Sequence, residues 1–586
     1  MTEVYQFALL GLGAGAIYAL LGQGLVLIYR GSGILNLAHG AFAMAGAYLF
    51  YELHTVRGHG TLAAVVATML ATGLLGVLTD QTLLRRLRSA SPLARLIATL
   101  GLLVIVQSIG VLKYGPAPTL TPALLEAKPI ELLGATASTD RLWLLAIAAG
   151  LTALLTLTWR YSRIGWAMSA VSENTGAAAA LGWSPERISS LTWFLGAALA
   201  GLAGLLIAPI TQLQVATLTL LVIPALAAAL IGGFTSFPLT LAGGVALGIA
   251  ESEVNRYVDV TGAAATVPFL LILAVLAVRG SSLPLRGYVT DKLPEVGTGR
   301  IDPLAAAAAL AGSASLIGFV LDDSWLAAVI VCLAVGIVLL SLVVLTGYSG
   351  QLSLAQFALA GIGALIAARL VEARDFPFAL ALIVGVLGAA AVGLVFALPA
   401  LRTRGVELAV VTLGLGASAQ ALLFNNSDVT GSSAGTPVGS PSLLGLDIGA
   451  FEHPVRYALF ALVLFAVCAV AVANLRRGRS GRRLLAVRTN ERAAAAMGVN
   501  VRAAKLHAFA FAGALAGLGG IVLGFRASNV IYTEFSPLAS INAVANAVIG
   551  GIGYVVGPLV ARCSRPGASA SSSRAATRRR RASTCR

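Results

Sequence analysis

Residues 188–250 read ISSLTWFLGAALAGLAGLLIAPITQLQVATLTLLVIPALAAALIGGFTSFPLTLAGGVALGIA, 63 residues without one Asp, Glu, Lys or Arg. A helix needs ~20 apolar residues to cross a hydrocarbon core ~30 Å thick, so this stretch holds at least two crossings. Further charge-free runs cover 5–29, 31–51, 58–79, 142–159, 303–321, 376–401, 408–427, 457–475, 506–525 and 535–561. The whole chain has the same character. Of 586 residues, 58% are hydrophobic and 11% charged, with a mean hydropathy of +0.89. Soluble proteins carry about 25% charged residues, which excludes a soluble multi-domain enzyme. Membrane barrels use alternating segments of about 10 residues, and these runs do not alternate. The pattern predicts an all-α polytopic membrane protein.

The formal charge is +16, and half of that excess lies in residues 562–586, which hold eight Arg and no acid. The rest sits mostly in loops, at Arg85, Arg86, Arg88 and Arg95, at Arg160, Arg163 and Arg187, at Arg279 and Arg286, at Arg402 and Arg404, and from Arg476 to Arg483. Basic loops stay inside. The path then starts outside and crosses near 5–29, 34–51, 60–79, 97–112, 142–159, 188–207, 220–233, 238–250 and 263–278. In this setting the basic balance serves topology, and no nucleic-acid partner is expected. The four cysteines, Cys332, Cys468, Cys563 and Cys585, have no metal-ligand spacing and suggest no disulfide framework. No basic segment precedes the first apolar run, so no cleavable signal peptide is expected.

The chain repeats itself. SGILNLAHGAFAMAGA (32–47) returns 317 positions later as SGQLSLAQFALAGIGA (349–364). RIGWAMSAVSENTGAAAALG (163–182) returns 316 positions later as RSGRRLLAVRTNERAAAAMG (479–498). ALIGGF (229–234) returns 318 positions later as AVIGGI (547–552). Three blocks in one order at a nearly constant offset mark a duplicated unit. One additional span, 303–321, precedes the second copy and returns the chain to the outside. Both copies then run the same way, as parallel repeats of about 8–10 transmembrane helices each, related by an axis along the membrane normal. The chain divides into a first half (1–290), a polar cytoplasmic linker (280–302), a second half (303–560) and a basic low-complexity tail (561–586). The first half continues through 263–278, whose counterpart falls in the tail at RRRRASTCR. The tail reads either as a disordered basic segment that touches anionic lipid or as the product of a shifted frame or truncation. The duplicated architecture favours the latter.

The first block places Asn36 and His39 among glycines where a helix enters the membrane, and its copy places Gln351, Ser353 and Gln356 there. Polar side chains at that depth need a partner or a water-filled cavity. They read either as a translocation pathway at the interface of the halves or as groups that join packed helices. Gln356 at the place of His39 argues against a proton relay common to both halves.

The second block lies between two spans on the basic face. In each copy an alanine-rich stretch of ~10 residues reads as a short helix. Glu173 and Asn174 near the start of one, and Asn490 and Glu491 near the start of the other, suit a helix N-terminus. Gly182 and Gly498 suit a C-cap. A short helix in an inside loop can dock in a groove of a partner. No GxxxxGK[ST] pattern, HExxH or His/Cys cluster occurs, so no catalytic residue and no metal site is expected. No paired acid and base lies within a span, which leaves an ion-coupled carrier or a membrane-embedded enzyme without its chemistry.

These blocks resemble a known family. NLAHGAFAMAGAY (36–48) is similar to the signature of the first permease subunit of bacterial branched-chain amino acid ATP-binding-cassette (ABC) importers. SGQLSLAQFALAGIGA is similar to that of the second, and the loops ending at Gly182 and Gly498 resemble the coupling loops that engage the ATPases. The resemblance covers about 1–290 and 300–560 and implies a natural fusion of two permease subunits. It implies two ATPase subunits on the cytoplasmic face, which bind ATP and Mg, and no cofactor in this chain. It implies an extracytoplasmic substrate-binding protein and a place in the bacterial inner membrane. The cargo implied is branched-chain amino acids or related small neutral solutes, urea and short-chain amides being carried by the same superfamily.

Overall fold

The computed structural model describes residues 2–279, 296–555 and 557, apart from 88–89, 91, 123, 126, 133–134, 375, 404, 432–433 and 444. Most of the predicted linker and all of the basic tail from 561 lie outside the described residues. The chain forms two compact units, Met1–Lys292 and Leu293–Arg586.

The first unit runs α1 (Thr2–Ser32), α2 (His39–Phe50), α3 (Thr61–Leu78), α4 (Pro92–Tyr114), α5 (Thr139–Tyr161), α6 (Arg163–Glu173), α7 (Thr175–Ala180), α8 (Pro185–Thr211), α9 (Val215–Leu220), α10 (Val222–Ile231), α11 (Phe237–Tyr257) and α12 (Val267–Arg279). The second runs α13 (Pro303–Phe319), α14 (Asp323–Leu342), α15 (Gln356–Arg374), α16 (Phe378–Ala400), α17 (Val406–Ala419), α18 (Ser427–Thr430), α19 (Pro454–Arg477), α20 (Arg479–Thr489), α21 (Glu491–Ala496), α22 (Val501–Gly524) and α23 (Pro537–Ile549). Among the described residues, eleven helices are long and apolar enough to cross a membrane. The loop after α4 holds an antiparallel hairpin, β1 (Pro129–Leu132) with β2 (Ala135–Ser138), which the apolar pattern did not announce.

Helix α3 shows why these sequences fold as they do. Leu62, Val66, Leu70, Leu74 and Leu78 recur every fourth residue and are all exposed. Ala64, Thr68, Thr72, Gly73 and Gly76 face inward. Large apolar groups outside and small groups inside is the arrangement a helix takes when lipid is its solvent, because close packing rather than water exclusion then holds helices together. The inner face of α3 meets α8.

Within each unit the same helices meet in the same chain order. In the first, α1 packs on α5 and α8, α3 on α8, and α2 on α3, α4 and α8. In the second, α14 packs on α19 and α22, α16 on α22, and α15 on α16, α17 and α22. The duplication reaches single contacts. A Cβ added to Gly204 would run into the Ala43 carbonyl, and one on Gly520 into the Ala360 carbonyl. A Cβ on Gly46 would lie 2.5 Å from Gly201 Cα, and one on Gly363 2.6 Å from Gly517 Cα. Each pair lets the α2–α8 or α15–α22 backbones touch. Helix α13 has no counterpart in the first unit and packs on α19. The two units thus share one helix order and one internal packing, as the repeated blocks predicted.

Candidate functional site

Each copy of the first sequence block forms a break between two helices, and the break is buried. Helix α1 stops at Gly33 (φ +67°), and in the second unit the chain turns at Gly350 (φ +69°). Left-handed backbone of this kind costs glycine little. Residues 34–38 and 351–355 are non-helical and buried, so each block lies inside its unit. A threonine pins each break. Thr99 of α4 accepts a hydrogen bond from the Leu37 N–H (3.3 Å), and Thr412 of α17 accepts one from the Leu354 N–H (2.9 Å). The turn that starts the next helix also recurs. Asn36 Oδ1 accepts from the Ala38 N–H at 3.0 Å, and Ser353 Oγ accepts from the Ala355 N–H at 3.4 Å.

The two breaks differ in how their polar groups are satisfied. In the second unit, Ser341 Oγ of α14 donates to Gln356 Oε1 (2.7 Å), and Gln356 Nε2 donates to Ser353 Oγ (3.1 Å). The positions 317 residues earlier are Gly24, His39 and Asn36. His39 is fully buried at the start of α2, packed so closely that a Cβ on Gly24 would lie 2.6 Å from its Nε2. The backbone of Leu21 faces the ring, but neither ring nitrogen has a hydrogen bond of good geometry, nor does Asn36 Nδ2. Gln351 is buried with its Oε1 unsatisfied. The structure thus brings Asn36 and His39 together in one break, and Ser353 and Gln356 in the other with Gln351 at its entrance. Buried groups without partners are sites where a water or a polar solute is accommodated at a gain.

The second block forms the connection between two long helices in each unit, α5 and α8 in the first and α19 and α22 in the second. The alanine-rich helices are shorter than the predicted ten residues. Helix α7 spans Thr175–Ala180 and α21 spans Glu491–Ala496, because an asparagine breaks each from the helix before it. Asn174 Oδ1 accepts from the Ala177 N–H at 3.0 Å, and Asn490 Oδ1 accepts from the Arg492 and Ala493 N–H groups at 3.0 and 3.1 Å. Glu173 is the last residue of α6, exposed, rather than part of α7. Gly182 (φ +88°) and Gly498 (φ +80°) end the helices. The Trp183 N–H returns to the Ala178 carbonyl, and the Val499 N–H to that of Ala494, the six-to-one closure of a glycine C-cap. Glu491 opens α21 and lies 2.9 Å from Lys505 Nζ of α22.

Sequence reasoning missed Ser341, Lys505 and Asp80. Asp80 is buried and accepts from Ser189 Oγ at 2.8 Å and Ser190 Oγ at 2.7 Å. A serine in an apolar helix and charges at the ends of charge-free runs carry no pattern of their own.

Comparison with known proteins agrees with this geometry. A family model described as the branched-chain amino acid transport system permease component matches residues 7–276 and 324–563. The high-affinity branched-chain amino acid transport system permease protein LivH of Escherichia coli is 29% identical over 288 residues, covering 47% of this chain and 92% of that protein. The permease protein LivM of the same system in Escherichia coli is 32% identical over 235 residues, covering 36% of this chain and 55% of LivM. A probable branched-chain amino acid transport permease protein LivH of Methanocaldococcus jannaschii is 30% identical over 251 residues, 41% of this chain and 78% of the relative. No solved structure matches.

Proposed function

The chain belongs to the family of branched-chain amino acid transport permease components, and on that premise we propose that it carries both permease halves of one ABC importer. The observation that supports this most is the double family match laid over two units with the same helix order and the same internal packing. The cargo is a branched-chain amino acid. The broken helices offer neutral polar groups, Asn36, His39, Gln351, Ser353 and Gln356, and the N-termini of α2 and α15, whose dipoles favour a carboxylate. An extracytoplasmic binding protein delivers the cargo. Two ATPase subunits dock on the inside loops at α7 and α21 and bind ATP and Mg, so this chain transports and does not itself hydrolyse nucleotide. Its place is the bacterial inner membrane.

The test is uptake into proteoliposomes that contain the full chain, its cognate ATPase subunits and its binding protein. Radiolabelled leucine should enter only with ATP inside the ATPase-facing compartment, and isoleucine and valine should compete. ATP-driven uptake of urea or acetamide with no leucine uptake would move the chain to the amide carriers. Uptake driven by a proton or sodium gradient without ATP would end the importer reading.

A further inference from the structure

We infer that the buried Lys505–Glu491 ion pair is a positioning strut that makes the second inside loop move as one body with the membrane helices behind it. This rests on the reading of α21 as an ATPase docking helix. Lys505 stands in the first two turns of α22, and Glu491 is the first residue of α21. Their charged groups lie 2.9 Å apart, with the lysine side chain 2% and the glutamate 13% exposed. Lys505 Nζ also donates to the carbonyl of Ala400 (3.0 Å), the last residue of α16. One ammonium therefore ties the docking helix to α22 and to the C-terminal end of α16, where a cation is favoured.

The tie matters because α21 has only six residues. Isolated helices under about 12 residues are marginal, so tertiary contacts must hold α21 in shape and place. An exposed ion pair would exchange its partner for water and would be screened by salt. A pair withdrawn from water cannot separate without leaving a buried charge uncompensated. A load applied to α21 is thus delivered to α22 and α16 rather than absorbed in the loop.

The first unit is built differently. The positions 316 residues before Glu491 and Lys505 are Thr175 and Ser189. Ser189 bonds Asp80, which ties α8 to the segment following α3, and among the described residues neither side chain has a hydrogen bond to α7. The two inside loops are therefore coupled to their helices unequally, with the firm connection in the second half.

The test uses the full chain assembled with its cognate ATPases and binding protein in proteoliposomes. It reads leucine transported per ATP hydrolysed. Lys505→Met with Glu491→Met removes both charges and keeps side chains of similar length, a replacement that buried pairs tolerate. The ratio should fall at least fivefold while ATP hydrolysis continues, and Lys505→Arg, which retains the pair, should stay near the parent ratio. An unchanged ratio in the double variant overturns the strut. Should the double variant not assemble, Glu491→Gln keeps the shape and is read against the same two outcomes. In parallel, Ala493→Cys on the exposed face of α21 should crosslink to an ATPase subunit in the otherwise parent chain. No crosslink would overturn the docking reading and the strut with it, whereas a crosslink with an unchanged ratio would overturn the strut alone.

Discussion

Ser341 and Gly24 occupy matched places, and that one hydroxyl separates a polar break that closes on itself from one left open. With Ser341 present, Gln356 is held at both ends of its amide. With glycine there, His39 lies against bare backbone and both ring nitrogens are unsatisfied. Opposite responses to the same kind of change follow. Gln356→Leu breaks two buried hydrogen bonds and should cost about 1–3 kcal/mol, seen as a lower unfolding midpoint in detergent. His39→Leu removes a buried polar group that has no hydrogen bond of good geometry, so the midpoint should hold or rise. If His39 lines the pathway as proposed, ATP-driven leucine uptake falls in that variant while stability does not. A loss of stability in His39→Leu would show that the ring is satisfied in the native membrane. Asn36, His39, Ser353 and Gln356 were legible because they stand inside the repeated block. Ser341 was not, since it lies 15 residues before Gln356 in an apolar helix, and only the fold turns it toward the amide.

At the scale of elements, the capped helices of the two alanine-rich loops were legible from alanine, asparagine and glycine alone, because caps are local chemistry. Their length was overestimated, since Asn174 and Asn490 stop one helix and start the next. A Cβ on Gly182 or Gly498 would meet no neighbour, so the backbone conformation alone resists substitution. Gly182→Val or Gly498→Val should cost about 1–2 kcal/mol in the cap. ATPase stimulation by liganded binding protein should drop in the assembled transporter, while the binding protein's affinity for leucine stays as it was. Full stimulation in the double variant would take α7 and α21 out of the docking role. The exposed leucine row of α3 gives a second test at this scale. Leu70→Arg places a charge in lipid at about 2.5–3.5 kcal/mol and should reduce the inserted fraction. Thr82→Arg, beyond the apolar row and exposed, should not. Equal insertion of both variants would mean that α3 does not face hydrocarbon.

At the scale of the whole molecule, duplication was readable because close helix approaches demand small residues at fixed places. Gly46, Gly204, Gly363 and Gly520 hold such places, and three sequence blocks kept their offset around them. The hairpin after α4 and the buried ties of Asp80 and Lys505 were not readable, since they depend on long-range contacts that no local periodicity records. The central claim is that the second unit repeats the first without inversion, so that both alanine-rich loops lie on the ATPase-facing side. In a variant with its native cysteines replaced, Ala177→Cys and Ala493→Cys can be introduced one at a time and probed with a membrane-impermeant maleimide in right-side-out and inverted vesicles. Both cysteines should be labelled in inverted vesicles and protected in right-side-out ones. Labelling of the two from opposite faces would contradict the parallel duplication and the transporter built on it.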